Sequence, residues 1–140
     1  MKKILLLLTT LFLLNACSLD EDPKQDFFVE FLPMEIVHTP EYVSLGKPCE
    51  IKIKYQKPNG CYLFERFHIE KEGSAYLIAV QTVVRPNAEC IKVTDITPEE
   101  RSFTFKPSDT YSSGSYILKF YKGLDVNGNR TYTQVNIPVQ

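Results

Sequence analysis

From Phe27 to Gln140 the chain alternates apolar and polar residues in short runs broken by Pro, Gly and Asn. The clearest run is Cys49 to Tyr55, with Cys49, Ile51, Ile53 and Tyr55 on one parity and Glu50, Lys52 and Lys54 on the other. A period of two with one charged side predicts a strand with one face buried and one wet. Lys57-Pro58-Asn59-Gly60 supplies the dihedrals of a turn. In the next predicted strand, Tyr62 to Glu70, Leu63, Phe67 and Ile69 share one parity and Phe64, Arg66 and His68 the other. Glu72-Gly73 is a hairpin signal. Ala75 to Val84 is apolar on both parities, which predicts a strand covered on both faces.

Weaker runs complete the pattern. Phe27, Phe28 and Phe31 open a first strand or cover an edge of the core, and Met34 to Val37 forms a short strand ended by Thr39-Pro40. Cys90 to Ile96 is a weak strand. Thr97-Pro98-Glu99-Glu100 reads as a loop whose acids cap or solvate a turn, and Ser102 to Lys106 buries Phe103 and Phe105. In Ser115 to Lys122, Tyr116, Leu118 and Phe120 face in, while Ile117, Lys119 and Tyr121 face out. In the last strand, Thr131 to Val139, the residues Thr133, Val135, Ile137 and Val139 share a face, and Pro138 marks an edge. Seven to nine short strands with turn signals and no helical period predict an all-β, antiparallel β-sandwich.

The first residues follow a different rule. Met1-Lys2-Lys3 precedes an apolar stretch from Ile4 to Leu14, the order of a secretory leader. Eleven residues reach about 16 Å as a helix against roughly 30 Å of hydrocarbon, too short for a lasting membrane span. Leu14-Asn15-Ala16-Cys17 closes the leader and resembles the lipobox of bacterial lipoproteins. That resemblance implies cleavage after residue 16, acylation of Cys17, and attachment to the cell envelope, in the outer membrane. Ser18-Leu19-Asp20-Glu21-Asp22-Pro23 follows. Its acids read as a solvated tether, and they also resemble the acidic export signal of surface lipoproteins of the Bacteroidota, which implies display on the cell surface. The chain thus divides into a signal peptide (1–16), a lipidated acidic tether (17–26) and one domain (27–140).

Removal of Lys2 and Lys3 lowers the 16 basic residues to 14 against 17 acidic ones, a formal charge of −3. With no basic block, the charge gives no support for nucleic acid as a partner. The partners expected are the membrane, through Cys17, and an envelope protein or a glycan.

Asp109 to Tyr116 carries a further resemblance. Gly114-Ser115-Tyr116 at the start of a late strand looks like the tyrosine corner of immunoglobulin-like domains, in which the hydroxyl bonds backbone just upstream. Leu118 stands where antibody domains place their second cysteine, and the chain has no Trp. The resemblance therefore implies an immunoglobulin-like sandwich without the Cys–Trp–Cys core of antibodies.

With Cys17 acylated, three cysteines remain. Cys49 lies on the buried parity of its strand and is expected to act as a small apolar group. Cys61 and Cys90 sit at strand starts, each after a Pro-Asn turn segment, and are expected to pair in a compartment that permits disulfides. No Cys-x-x-Cys or Cys/His cluster suggests a metal, and no cofactor is expected. Asp125-Val126-Asn127-Gly128-Asn129 has oxygen ligands in alternation, but the twelfth position from Asp125 is Asn136, so it reads as a hairpin turn rather than a calcium loop. His68 reads as part of a solvated or half-covered face.

No phosphate loop, nucleophile elbow or opposed carboxylate pair is present, and a non-enzymatic interaction or accessory module is expected. The candidate ligand face is the outward parity of the final hairpin: Lys119, Tyr121, Tyr132 and Gln134, with Ile117 and Asn136. Tyrosines beside amides suit a protein partner or, alternatively, a sugar. The same tyrosines also read, more simply, as a cross-strand pair that stabilises the hairpin.

Overall fold

The structure, a computed structural model, describes residues 27–85, 90, 97–108 and 114–140. These form eight strands: β1 (Phe28–Leu32), β2 (Met34–His38), β3 (Cys49–Tyr55), β4 (Tyr62–Glu72), β5 (Ala75–Val84), β6 (Glu99–Phe105), β7 (Ser115–Leu124) and β8 (Arg130–Pro138). Two sheets face each other, one built from β1, β4, β5, β7 and β8 and the other from β2, β3 and β6. The fold is the expected all-β sandwich. The leader, Cys17 and the acidic tether lie outside the described residues, as does all but Cys90 of the weak strand expected over Cys90 to Ile96.

The sheet change from β1 to β2 falls at Pro33. Proline has no backbone N–H for either ladder, so it suits a junction between two sheets. Leu32 before it and Met34 after it are both buried in the common core. The three-stranded sheet contributes Ile51, Ile53, Tyr55 and Phe105 to that core, and the five-stranded sheet contributes Ile78, Val80, Tyr116, Leu118, Phe120 and Ile137. The rings of Phe105 and Tyr116 meet edge to face at 5.3 Å across the layers.

β5 is the centre of the larger sheet. β4 pairs along one side of it, antiparallel. Its other side is shared end to end: Ala75 to Ile78 pair with β7 and Val80 to Val84 pair with β1. The β5–β7 ladder is parallel, whereas the other ladders of the described residues are antiparallel. A parallel pair needs a crossover, and here the chain passes through β6 in the opposite sheet before returning as β7.

Two glycines are required where they stand. Gly73, at φ +59°, opens the two-residue turn that joins β4 to β5. Gly123, at φ +107°, sits at an irregularity between Tyr121 and Gly123 where β7 leaves β5, and a side chain there would meet Pro33 at 3.4 Å.

The expected tyrosine corner is present. The Tyr116 hydroxyl accepts the Ser108 N–H at 2.8 Å and donates to the Ser108 carbonyl at 3.3 Å. The Tyr116 ring is fully buried, so these bonds satisfy a phenol that burial would otherwise penalise.

In two places the strands differ from the pattern expected. A bulge between Phe64 and Arg66 inserts Glu65, so Phe64 leaves the parity of Arg66 and His68. Phe64 and Phe67 then lie on one face with rings 5.4 Å apart, and Phe67 meets Phe103 of the other sheet at 4.8 Å. Secondly, Glu99 and Glu100 begin β6 and pair with Tyr55 and Lys54 rather than capping a loop. Glu99 is held there by ion pairs to Lys57 and Arg101.

Candidate interaction face

The residues expected to form a ligand face do come together, on the outer side of the five-stranded sheet. Tyr121 and Tyr132 are direct cross-strand partners, and so are Lys119 and Gln134. The tyrosine rings meet edge to face with centroids 6.1 Å apart. Gln134 Nε2 donates to Asn136 Oδ1 at 3.1 Å, and Lys119 reaches Glu72 at 3.6 Å.

Sequence parity did not bring in the other half of this face. Phe31 of β1 and His68 of β4 stack at 5.0 Å on the same side of the sheet. The Arg130 guanidinium lies 5.5 Å from the Phe31 ring centre, a cation–π contact. His68 Nε2 is 3.5 Å from a Glu70 oxygen. A small recess lined by Phe31, His68, Leu77, Tyr121, Arg130 and Tyr132 closes over Ala79. The signal that could have found these residues is the pair of small residues on the outward parity of β5, Ala75 and Ala79, both buried. Small residues on a central strand leave room for the long side chains of its neighbours.

The outer side of β5 is therefore covered by its own sheet. Gln81 Nε2 donates to Glu65 Oε2 at 2.8 Å, which satisfies a buried amide. Tyr121 faces outward yet is only 8% exposed. Burial, foremost, raises its phenol above the usual tyrosine range. Around it Tyr132 and Lys119 are half-buried and Gln134 is exposed. The arrangement can bind by contact and hydrogen bonding, with Tyr121 as a packed support.

The disulfide joins Cys61 to Cys90, with Cα atoms 5.2 Å apart. It ties the start of β4 to the segment after β5, beside an Arg85 N–H to Cys61 carbonyl bond of 3.3 Å. Cys49 is the free thiol of the described residues. It donates weakly to the Phe105 carbonyl at 3.4 Å, and burial raises its pKa, as suits a packed thiol rather than a nucleophile.

Asp125 organises a turn. Its carboxylate accepts the N–H groups of Asn127 and Asn129, both at 2.8 Å, and the Asn129 amide at 3.2 Å. These bonds, those from Asn129 first, hold the acid below the usual carboxylate range. No cluster of three or more metal-ligating side chains occurs among the described residues.

A second group of polar residues lies at the rim between the sheets. The Tyr55 hydroxyl donates to Glu99 Oε2 at 2.6 Å and accepts Arg101 Nε at 3.3 Å. Burial opposes the charge of Glu99, but bonds from Lys57, Tyr55 and Arg101 outweigh it and lower the pKa. Arg101 also covers the Phe64 ring at 4.3 Å. Nearby, a groove of about 370 Å³ is lined by Met34, Glu35, Lys54, Tyr55 and Lys122. Its Glu35 is already paired with Lys54 at 3.0 Å. These contacts fasten β3 to β6 and to the loop after β3.

No curated protein and no solved structure matches this chain. A family model, the ORF11 beta-sandwich domain, matches residues 51–137, from β3 to the end of β8. The match spans more than half of the 140 residues and takes in the Cys61–Cys90 bridge, the tyrosine corner and both tyrosines of the outer face, so this chain belongs to the ORF11 beta-sandwich domain family.

Proposed function

We propose that this chain is an envelope lipoprotein, anchored by acyl chains on Cys17, whose sandwich serves as a non-enzymatic interaction module. The sequence Leu14-Asn15-Ala16-Cys17 behind a basic and apolar leader carries the anchoring half of this reading. Residues 1–16 are then the part removed, and residues 17–26 the tether. The acidic run Asp20-Glu21-Asp22 supports outward display from the outer membrane, as in surface lipoproteins of the Bacteroidota. Processing is tested by Cys17→Ala, which should leave the precursor uncut or release the protein from membranes. A processed, membrane-bound mutant overturns the anchor.

The outer face of the five-stranded sheet supports the second half. Half-buried Tyr132 and Lys119 and exposed Gln134 stand beside Phe31, Ala79 and Tyr121, which gives a firm surface with aromatic and polar groups. The test is a photo-crosslinker in living cells, placed at Tyr132 or, for comparison, at Lys52 on the opposite sheet. One near-stoichiometric envelope protein captured from Tyr132 and not from Lys52 is expected. Equal capture from both positions overturns the assignment of the face.

The Gln134–Asn136 amide pair beside Tyr132 favours a second reading, a glycan held by stacking and amide hydrogen bonds. That reading requires retention on a glycan array that Tyr132→Ala abolishes.

A further inference from the structure

The ladders place several remote residues at one end of the molecule. β5 runs toward Val84, and β7 runs parallel to it, Ala75 opposite Ile117 and Ile78 opposite Phe120. Leu124 at the end of β7 and Val126 in the turn after it therefore lie toward the Val84 end. β1 is antiparallel to β5, with Phe28 opposite Val84, so the chain comes into the domain at that same end. β4 begins there too, with Leu63 opposite Val83.

Six of the ten exposed large apolar side chains of the described residues gather at this end: Phe27, Phe28, Val29, Leu63, Leu124 and Val126. Val126 is 100% exposed and Leu124 62%. The remaining four, Val37, Tyr42, Leu45 and Ile69, are spread over β2, the segment after it and β4. Neither Leu124 nor Val126 is needed by the turn itself, because Asp125 holds that turn through the N–H groups of Asn127 and Asn129. A polar pair would serve folding equally well, so the apolar tip calls for an apolar contact outside the domain.

We infer that the Val84 end of the sandwich is its bilayer-facing end, with Val126, Leu124, Phe27 and Phe28 seated at the boundary of lipid headgroups and acyl chains. The inference rests on the reading of Cys17 as the lipidated residue. Ten residue steps separate Cys17 from Phe27, a reach of at most about 35 Å. The anchor thus enters the domain at the end that bears the apolar side chains and holds them close to the membrane. Amphipathic contact of this kind combines with a covalent lipid as a second, weaker membrane signal. Asp20, Glu21 and Asp22 beside the anchor favour a neutral lipid surface over an anionic one.

The chain has no Trp, so a single introduced one reports its own surroundings. Full-length protein, purified from membranes and with its acylation read by intact mass, is reconstituted into phosphatidylcholine vesicles with brominated acyl chains. Val126→Trp and Leu124→Trp are compared with Ser74→Trp in the turn at the opposite end. Trp at 126 and at 124 is expected to shift to the blue and to lose most of its emission in brominated vesicles, while Trp at 74 stays unquenched. If the protein is acylated but none of the three is quenched, or all are quenched alike, the orientation is wrong and the anchor stands. A blue shift at 126 without quenching assigns the tip to a protein contact, a second copy included, and also overturns the inference. Absence of acylation removes the anchor and the inference with it.

Discussion

The two sheets share a core but treat their outer faces differently. The three-stranded sheet presents Glu35, Glu50, Lys52 and Lys54, joined in exposed ion pairs. The side chains of that face are charged and partly exposed to solvent. The five-stranded sheet covers its outer side with Phe31, His68, Tyr121 and Tyr132 around Leu77 and Ala79 of β5. A central strand flanked on both sides cannot rely on solvent alone when both of its parities are apolar. Its neighbours' aromatic groups act as a thin third layer.

Mutations can break this comparison, and the inner face sets the scale. Phe120→Ala removes a fully buried ring and should cost about 3–5 kcal/mol in denaturant unfolding. A smaller loss would mean that the two sheets pack loosely. Replacing Cys61 and Cys90 by Ala should cost about 3–4 kcal/mol. Because the bridge pins the start of β4, hydrogen exchange should rise in β4 and stay low in β3. Equal loosening of both sheets would show that the bridge serves the whole sandwich. Tyr121→Ala tests the outer layer itself: with only 8% exposure it should cost about 2–3 kcal/mol, although the residue points away from the core. No loss would reduce the layer to decoration.

A fourth test uses pH at the rim of the three-stranded sheet. Burial, and then its bond to Glu99, push the Tyr55 phenol up to about 12, above its ordinary value of 10. The folded state holds the proton more tightly than the unfolded chain does. The stabilisation is therefore complete below pH 10 and is lost as pH rises through 12. Stability of the native protein should fall across pH 10–12 more steeply than that of Tyr55→Phe. Parallel curves would assign alkaline unfolding to other groups. The smallest effect is expected on the charged face, where Lys52→Ala and Lys54→Ala should leave the melting midpoint unchanged. A clear loss there would erase the contrast between the two outer faces.

Much of this was legible beforehand because strand periodicity is local. Cys49, Ile51, Ile53 and Tyr55 turn inward as their alternation requires, and so do Tyr116, Leu118 and Phe120. The tyrosine corner and the Cys61–Cys90 pairing also followed from short segments. Half of the candidate face followed as well, because Tyr121 and Tyr132 belong to one hairpin whose turn fixes their register. Phe31 and His68 escaped because they lie on other strands, brought beside that hairpin by β5. The bulge at Glu65 escaped for a related reason, since a parity count assumes that every residue of a strand has one partner.

The sequence by itself therefore determined the strand-rich class, the inward set of each regular strand, and the turns at Gly73 and Gly128. All of these depend on dihedral preferences and on a side-chain period of two, which neighbours along the chain suffice to express. Only the tertiary structure decided that β5 and β7 run parallel and that Phe31, His68 and Arg130 join the two tyrosines. It also decided that the start of β1 and the Val126 turn lie toward one end of the sandwich. Those facts depend on which strands pair, and pairing is chosen by burying area between residues far apart in sequence, which no local pattern records.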